Sequence, residues 1–388
     1  MVSVFRDHGV VFKDSQPNLN QTAENRNIYQ LIEPGWLIVN RMKAWQGSVG
    51  VSDIRGICSG HYLCFRPTHA EDPRFLNWLV RSQTYSQGLA AYSRGVRPGQ
   101  AEIDNSYLRT LPIALPPKPE QVAIADFLDR ETAKIDALIT KQEGMVERLR
   151  VKRSTLILQA VTGSGAVGET VESPLGWLDS FPRSWIPRPM KCLAKITLGK
   201  MVTPVPPSPE AVRAPYLRAA NVQPDGVSAF DELSEMWFTP KELSSLDLLP
   251  GDVVVVEGGQ GGFGRAAYVR EGLPGVGFQN SINRLRPEAN DGRFLTYVLL
   301  AIRSTGYMHA YCDTVSMPHL TAEKLGRLRI AAPPADEQRA IADSLDRQMS
   351  SIDDLIAKAN QFIGLARESR SALITAAVTG QLDIGEAA

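Results

Sequence analysis

The chain has 388 residues, with 42 basic and 42 acidic side chains and a hydrophobic content of 43%. That length supports at least two domains with separate cores, and the composition excludes a disordered or fibrous chain. No apolar run approaches the ~20 residues that cross a bilayer, and a formal charge of zero excludes tight nucleic-acid binding by diffuse basic charge alone, since counterion release needs clustered cations or a partner that supplies them.

The opening Met1–Gly9 stretch has neither a basic nor an apolar signal segment, so the expected location is cytoplasmic. From Leu31, LIEPGWLIVNRMKAWQGSVGV predicts a turn, a β-branched strand, a loop and a second strand; GICSGHYLCFRP from Gly56 predicts a third strand ending in Arg-Pro, and EDPRFLNWLVRS from Glu71 a short helix. The loop starting at Asn40 offers Asn40, Arg41, Lys43, Trp45 and Gln46. Asn and Gln can pair bidentately with adenine and Arg with guanine, while glycines let backbone approach phosphate. A second candidate contact loop carries Arg94 and Arg97. Residues 1–114 thus make a first mixed, strand-rich module.

Residues 115–165 read as one long helix. Pro116 and Pro117 enforce extended backbone before it, Pro119 fits its first turn, and Gly163 suits its C-terminal turn. Ile124, Leu128, Ile135, Leu138, Met145, Leu149 and Leu156 follow steps of about three, four or seven, a coiled-coil seam interrupted by Glu131, Gln142 and Lys152.

Residues 166–331 repeat the module. Thr197-Leu-Gly-Lys200 predicts a strand and a loop; Arg218 and Asn221 follow in PYLRAANVQPDGV. LLPGDVVVVEGGQGGFGRAAYV, GVGFQNSINRLRP and NDGRFLTYVLLAIRS match the three blocks of the first half. Here the candidate contacts are Gln260, Phe263 and Arg265 in the glycine loop, Asn280, and Thr314, Ser316 and His319 before the second helix. Residues 332–388 hold that helix, with Asp336 as expected N-cap, Gly380 at the end, and a seam of Ile341, Leu345, Ile352, Leu355, Phe362, Ala366 and Leu373. The segments from Leu115 and Ala332 align without a gap, with about half of the ~49 positions identical. Two such helices pair most simply antiparallel.

Several catalytic readings fail. Gly259-Gln-Gly261-Gly-Phe-Gly264 matches a dinucleotide fingerprint, but strand-like Arg-Ala-Ala-Tyr-Val comes next where a helix is required, so a glycine hairpin is expected. No Pro-Pro pair carries the flanking acid or amide and aromatic of a methyltransferase tetrapeptide. Asp231 and Glu232 lack the lysine-containing setting of a metal-dependent nuclease. Cys58, Cys64, Cys192 and Cys312 form no CxxC pair, and His309 with Cys312 has no second ligand pair, so neither disulfides nor a metal is expected.

The duplicated PPxxEQ…AVTG pattern, with PGWLIVNRMKAWQGSVGV and LPGDVVVVEGG upstream, resembles the DNA-specificity subunits of type I restriction-modification systems (the HsdS family) along nearly the whole chain. The resemblance implies an α+β fold: two strand-rich target-recognition domains separated by two long antiparallel coiled-coil helices in a pseudo-twofold repeat. It also implies a non-catalytic subunit that reads a bipartite site in double-stranded DNA. Two methylation subunits, carrying S-adenosylmethionine, would dock on the helices, and restriction/translocase subunits would join them; no cofactor or metal is expected in this chain and no membrane contact. One departure stands out. Aligning Gly35 with Gly251 leaves the first module without a counterpart of Pro174–Tyr216, whose strand and loop ending at Lys200 would, with Arg218 and Asn221, face DNA in such a subunit; either the first module is a compact variant, or the chain is truncated or mis-started. The alternatives are a non-DNA helical scaffold for protein partners and an inactive remnant of a specificity subunit.

Overall fold

The computed structural model describes residues 1–15, 29–94, 101–164, 168–226, 229–230, 232–259, 262–312 and 318–384. The chain divides into two compact units, Met1–Met145 with Lys358–Ala388, and Val146–Ala357. Both cuts fall inside the long helices, so each unit holds one strand-rich module and a stretch of each helix.

The first unit runs β1 (Val2–Phe5), β2 (Gly9–Phe12), β3 (Gln30–Ile32), β4 (Leu37–Asn40), β5 (Val49–Val51), β6 (Gly56–Cys58), β7 (Tyr62–Phe65), α1 (Pro73–Arg81), α2 (Gln83–Ala91), β8 (Ser93–Arg94), β9 (Glu102–Ile103) and α3 (Asn105–Thr110). Helix α4 (Lys118–Thr162) then leads out of it. The central sheet is antiparallel, in the order β5-β4-β7. Successive strand side chains point to opposite faces, and β4 is covered on both. Ile38 packs with Val2, Val4 and Ile32, whereas Val39 packs with Val49, Leu89 and Ile103. A strand buried on both sides must be apolar throughout, which is why Leu37-Ile-Val lacks polar alternation.

The second unit contains β10 (Thr170–Glu172), β11 (Ser180–Pro182), β12 (Ile186–Pro189), β13 (Ala194–Leu198), β14 (Val212–Leu217), β15 (Ser234–Phe238), α5 (Pro240–Ser245), β16 (Val253–Val256), β17 (Ala266–Tyr268), β18 (Gly277–Phe278), β19 (Ile282–Pro287), α6 (Gly292–Ser304), α7 (Tyr307–Cys312), α8 (Ala322–Arg327), β20 (Arg329–Ala332) and α9 (Ala335–Val378), which continues into the first unit. Its main sheet is β13-β19-β16-β17, flanked by a β15-β14-β18 sheet. β16 repeats the logic of β4: Val253 and Val255 join one core, Val254 and Val256 the other. The expected glycine hairpin is present, because β16 and β17 pair antiparallel. The extra strand β13 lies on β19; among the described residues no strand pairs with the matching edge of β7.

The long helices span Lys118–Thr162 and Ala335–Val378, about 65 Å each at 1.5 Å per residue. Their starts are locked by one device used twice. The buried Gln121 amide donates to the Pro116 carbonyl (2.8 Å) and to Glu71 (2.5 Å), and its oxygen accepts from the Asp72 N–H (3.0 Å). Buried Gln338 donates to the Pro333 carbonyl (2.9 Å) and Asn290 (3.0 Å), and accepts from the Asp291 N–H (3.1 Å). Asp336 is not the N-cap expected from sequence. The Pro334 carbonyl takes the first helical bond, from the Gln338 N–H at 2.9 Å, which places Asp336 inside the first turn. At the other ends Gly163 (φ 69°) and Gly380 (φ 71°) adopt the left-handed conformation. The Ser164 N–H donates to the Gln159 carbonyl, and that of Gln381 to Ala376, the bond pattern of a Schellman turn.

The seam keeps Ile124, Leu128, Leu345 and Ile352 buried as the sequence led one to expect, but elsewhere follows a heptad of different register. In α4 the inward residues are Leu128, Thr132, Ile139, Val146, Arg153 and Ile157, not Glu131, Leu138, Met145 or Lys152: Ile139 is 8% exposed and Leu138 49%. In α9 Leu345, Met349, Ile352, Ala359 and Ile363 face inward, while Leu355 (43% exposed) and Phe362 (40%) face out. Apolarity alone misassigned these positions because Thr132 and Arg153 occupy seam sites. The Thr132 hydroxyl donates to the Leu128 carbonyl (2.6 Å), and Arg153 reaches Asp353 (3.3 Å) and donates to the Asp225 carbonyl (2.7 Å). In the first unit the repeat-equivalent Arg370 pairs with Asp136 (2.8 Å) and Arg367 with Glu143 (2.8 Å). As one number rises the other falls, so the two helix stretches run antiparallel there.

A second duplicated device holds each short helix to its long helix. Arg74, on α1, donates to Asp126 (2.7 Å) and Asp129 (3.2 Å), and the Trp78 indole to Asp129 (2.9 Å). On α6, Arg293 donates to Asp343 (2.7 Å) and Asp346 (3.0 Å), and the Tyr297 hydroxyl to Asp346 (2.7 Å). Burial and Asp346 together push the Tyr297 hydroxyl above its ordinary pKa. These contacts give a structural reason for the Arg-Phe-Leu and Ile-Ala-Asp-x-Leu-Asp identities between copies.

Candidate nucleic-acid interface

The first-module loop is a tight 3-10 turn over Ala44–Gln46, pinned by fully buried Ala44. The Asn40 side chain accepts from the Met42 N–H (3.1 Å), and the Trp45 indole donates to the Met42 carbonyl (3.0 Å), so both polar handles shape the turn. Lys43 and Gln46 are exposed. Arg41 forms an ion pair with Glu102 (2.5 Å). That pair brings together the two loops the sequence nominated: the Ile103 N–H donates to the Arg41 carbonyl (3.1 Å), and β9 pairs with β8, opposite Arg94. Arg97 lies outside the described residues.

In the second module the nominated residues divide. His319 and Arg218 are exposed, and Asn280 is half-buried with its backbone N–H on the Lys200 carbonyl (2.8 Å). Lys200 is turned inward. Its ammonium binds Glu242 (2.5 Å) over the Phe238 ring, and that contact holds the Glu242 carboxyl below its usual range. Asn221 is buried, accepting from the Arg218 N–H and donating to the Ala229 and Glu232 carbonyls. Phe263, nominated as a contact, sits in the core (5% exposed) against the His309 ring. Arg265 is half-buried and donates to the Val222 carbonyl (3.3 Å). These four are thus structural in placement: Lys200 and Asn221 through their own hydrogen bonds, Phe263 because the β16–β17 hairpin packs on α6 and α7, and Arg265 through Val222. Gln260, Thr314 and Ser316 lie outside the described residues.

The groups the sequence did not nominate are Glu102, Glu257, Ser281 and Asn283. Glu257 comes directly after β16, and its N–H donates to the Ser281 carbonyl (2.8 Å) while its carbonyl accepts from the Leu320 N–H (2.7 Å). Burial pushes the Glu257 carboxyl up, with His319 opposing. Among the described residues, Glu257 Oε2, Ser281 Oγ and Asn283 Oδ1 are buried without a hydrogen-bond partner. The His319 ring packs so closely on Gly258 that a Cβ there would lie 2.6 Å from Nδ1, so any side chain at this position would have to displace the ring. The signal for this cluster was in the repeat, since Arg41 and Glu257 occupy aligned positions. Among the described residues no group of three or more His, Cys, Asp or Glu side chains could hold a metal, and no helix is long and apolar enough to cross a membrane.

The arrangement offers hydrogen-bonding side chains on paired loops of a duplicated scaffold. The EcoBI type I restriction enzyme specificity subunit of Escherichia coli is 24% identical over 55% of this chain and 43% of its own length. The StySPI specificity subunit of Salmonella potsdam is 27% identical over 91% of this chain and 76% of its own. A solved chain from work on complex assembly and conformational transition of the type I R-M system matches at a TM-score of 0.65 and 19% identity, over 92% of this chain and 85% of that one, a likeness of fold. The description "Type I restriction modification DNA specificity domain" matches residues 15–148 and 239–363. Because one match falls in each repeat and the two together cover more than half of the chain, the chain belongs to the type I restriction-modification DNA specificity family.

Proposed function

We propose that this chain is the DNA-reading subunit of a type I restriction-modification complex, each module contacting one half of a split site in double-stranded DNA. The observation that carries the reading is the duplication itself. Helix starts and short-helix clamps are the same in both copies, whereas the loops at the ends of β4 and β16 differ in sequence and charge. A scaffold kept constant beneath divergent loops suits two readers of unlike half-sites.

The chain itself performs no chemistry in this reading; methylation subunits supply S-adenosylmethionine, and restriction/translocase subunits join them in the cytoplasm. Leu138, Leu355, Phe362 and Leu365 are exposed on the long helices, apolar surface of the kind that protein partners cover. Partner-supplied phosphate contacts also agree with a net charge of zero.

The test is duplex binding by the full chain with its methylation partner across a salt series, joined to genome-wide mapping of methylated adenines with and without the gene. Expected are sequence-selective, salt-dependent binding and a split methylation motif whose halves vanish together on deletion. An unchanged methylation map would refute the proposal.

A further inference from the structure

The modules share one backbone frame at the end of β4 and β16. The Arg41 N–H donates to the His61 carbonyl (3.0 Å) as Glu257 donates to Ser281 (2.8 Å); the Arg41 carbonyl accepts from Ile103 (3.1 Å) as Glu257 accepts from Leu320 (2.7 Å). Into this frame the copies place opposite charges. In the first, Arg41 pairs with Glu102. In the second the polarity is reversed: Glu257 is an acid, and the His319 ring packs against the adjoining Gly258. Both positions open a candidate contact loop.

We propose that Arg41 and Glu257 are the same base-reading position with opposite hydrogen-bonding polarity, Arg41 donating to guanine and Glu257 accepting from the exocyclic amino group of cytosine or adenine. This rests on the DNA-reading role given above. The chemistry comes from donor and acceptor inventories: a guanidinium only donates and matches guanine N7 and O6, whereas a carboxylate only accepts and matches an amino group. The unsatisfied state of the second site points the same way. Among the described residues the acceptors Glu257 Oε2 and Asn283 Oδ1, on the same face of the strand pair, have no hydrogen-bond partner, and the neighbouring Ser281 hydroxyl has none either. A site left with unmet acceptors gains most from a ligand that donates, and rejects one that cannot. Arg41 is available for its own role because its ion pair with Glu102 is half-exposed, and such pairs hold their partners weakly. Opposite polarity at one shared position gives an asymmetric split site from a symmetric scaffold.

The experiment selects duplexes from a randomised library with the full chain and its methylation partner, comparing wild type, Glu257→Gln and Arg41→Gln. The Glu257→Gln change keeps the size of the side chain, and Arg41 is on the surface, so neither substitution opens a cavity. Glu257→Gln is expected to lower the preference for an amino-bearing base at one position of one half-site by roughly 5- to 100-fold. Arg41→Gln is expected to lower guanine preference similarly at one position of the other half-site, with remaining positions unchanged. Which base Glu257 reads, cytosine or adenine, comes from the wild-type motif. Unaltered motifs, a uniform loss of affinity, or both variants acting in the same half-site would overturn the assignment while leaving the DNA-reading role intact. A wild-type complex that selects no motif would instead remove that role.

Discussion

Replacing Arg293 by Leu removes the centre of the α6 clamp. The Arg293 side chain is 22% exposed and touches three carboxylates: Asp291 (2.8 Å), Asp343 (2.7 Å) and Asp346 (3.0 Å). Asp343 is half-exposed and contributes little. The other two are more shielded, and hydrogen bonds to charged groups are each worth about 1.5–3 kcal/mol. The loss is moderated because Asp346 keeps Tyr297 and Asp291 keeps the Phe294 N–H, so the net cost is about 2–4 kcal/mol. For a unit of this size each kcal/mol lowers Tm by roughly 2–4 °C, giving a drop of about 4–16 °C. The matching Arg74→Leu should do far less. Arg74 is 46% exposed, its partners Asp126 and Asp129 are also open to solvent, and its contact with the shielded Asp72 is loose at 3.8 Å, which limits the cost to about 1 kcal/mol. Scanning calorimetry of the two full-length variants reads the difference. Equal losses, or an Arg293→Leu loss below about 1 kcal/mol, would refute the view that shielding sets the strength of the clamp.

Three further outcomes are expected. Ile352→Ala should cost about 2–5 kcal/mol and Leu355→Ala within about 0.5 kcal/mol in urea titrations; a loss at Leu355 as large as that at Ile352 would restore the seam read from sequence, which held both. Glu257→Gln should stabilise the protein at neutral pH. A carboxyl whose folded pKa is raised costs stability when ionised, so the advantage of Gln should shrink as pH falls through the raised value and disappear below about pH 4; melts in which the gain grows toward acid would contradict this. Phe362→Glu with Leu365→Glu should leave the melting temperature unchanged yet abolish co-elution with the methylation subunit, and retained co-elution would remove these residues from the partner surface.

Much of the architecture was legible before any coordinates. Identity at about half of the aligned positions between the segments at Leu115 and Ala332 could arise only by duplication. Pro-Pro before and glycine after each run bounded the helices, because those residues restrict or permit backbone angles independently of tertiary context. The hairpin reading of the glycine loop held for a similarly local reason: the Arg-Ala-Ala-Tyr-Val segment after it has the length and residue types of a strand, not of a helix. Register was another matter. Side chains one position apart on a helix differ by about 100°, so Leu138 and Ile139 are equally plausible seam residues until a partner helix selects one, and a polar occupant such as Arg153 hides the heptad from an apolar count.

The candidate site shows the same division. Residue type alone nominated Arg41, Lys43, Gln46 and His319, which stand at the surface, and equally nominated Lys200, Asn221 and Phe263, whose polar atoms or rings are consumed internally. No local pattern separates these groups, because whether a lysine meets solvent or Glu242 depends on a helix 42 residues away. The amino-acid sequence by itself determined the repeat, the helices and the family, all of which rest on local backbone preference and on identity between copies. Tertiary packing decided which helical face is buried, which polar groups are satisfied within the chain, and which carbonyls and N–H groups frame the aligned Arg41 and Glu257, since those depend on long-range contacts that no window of residues contains.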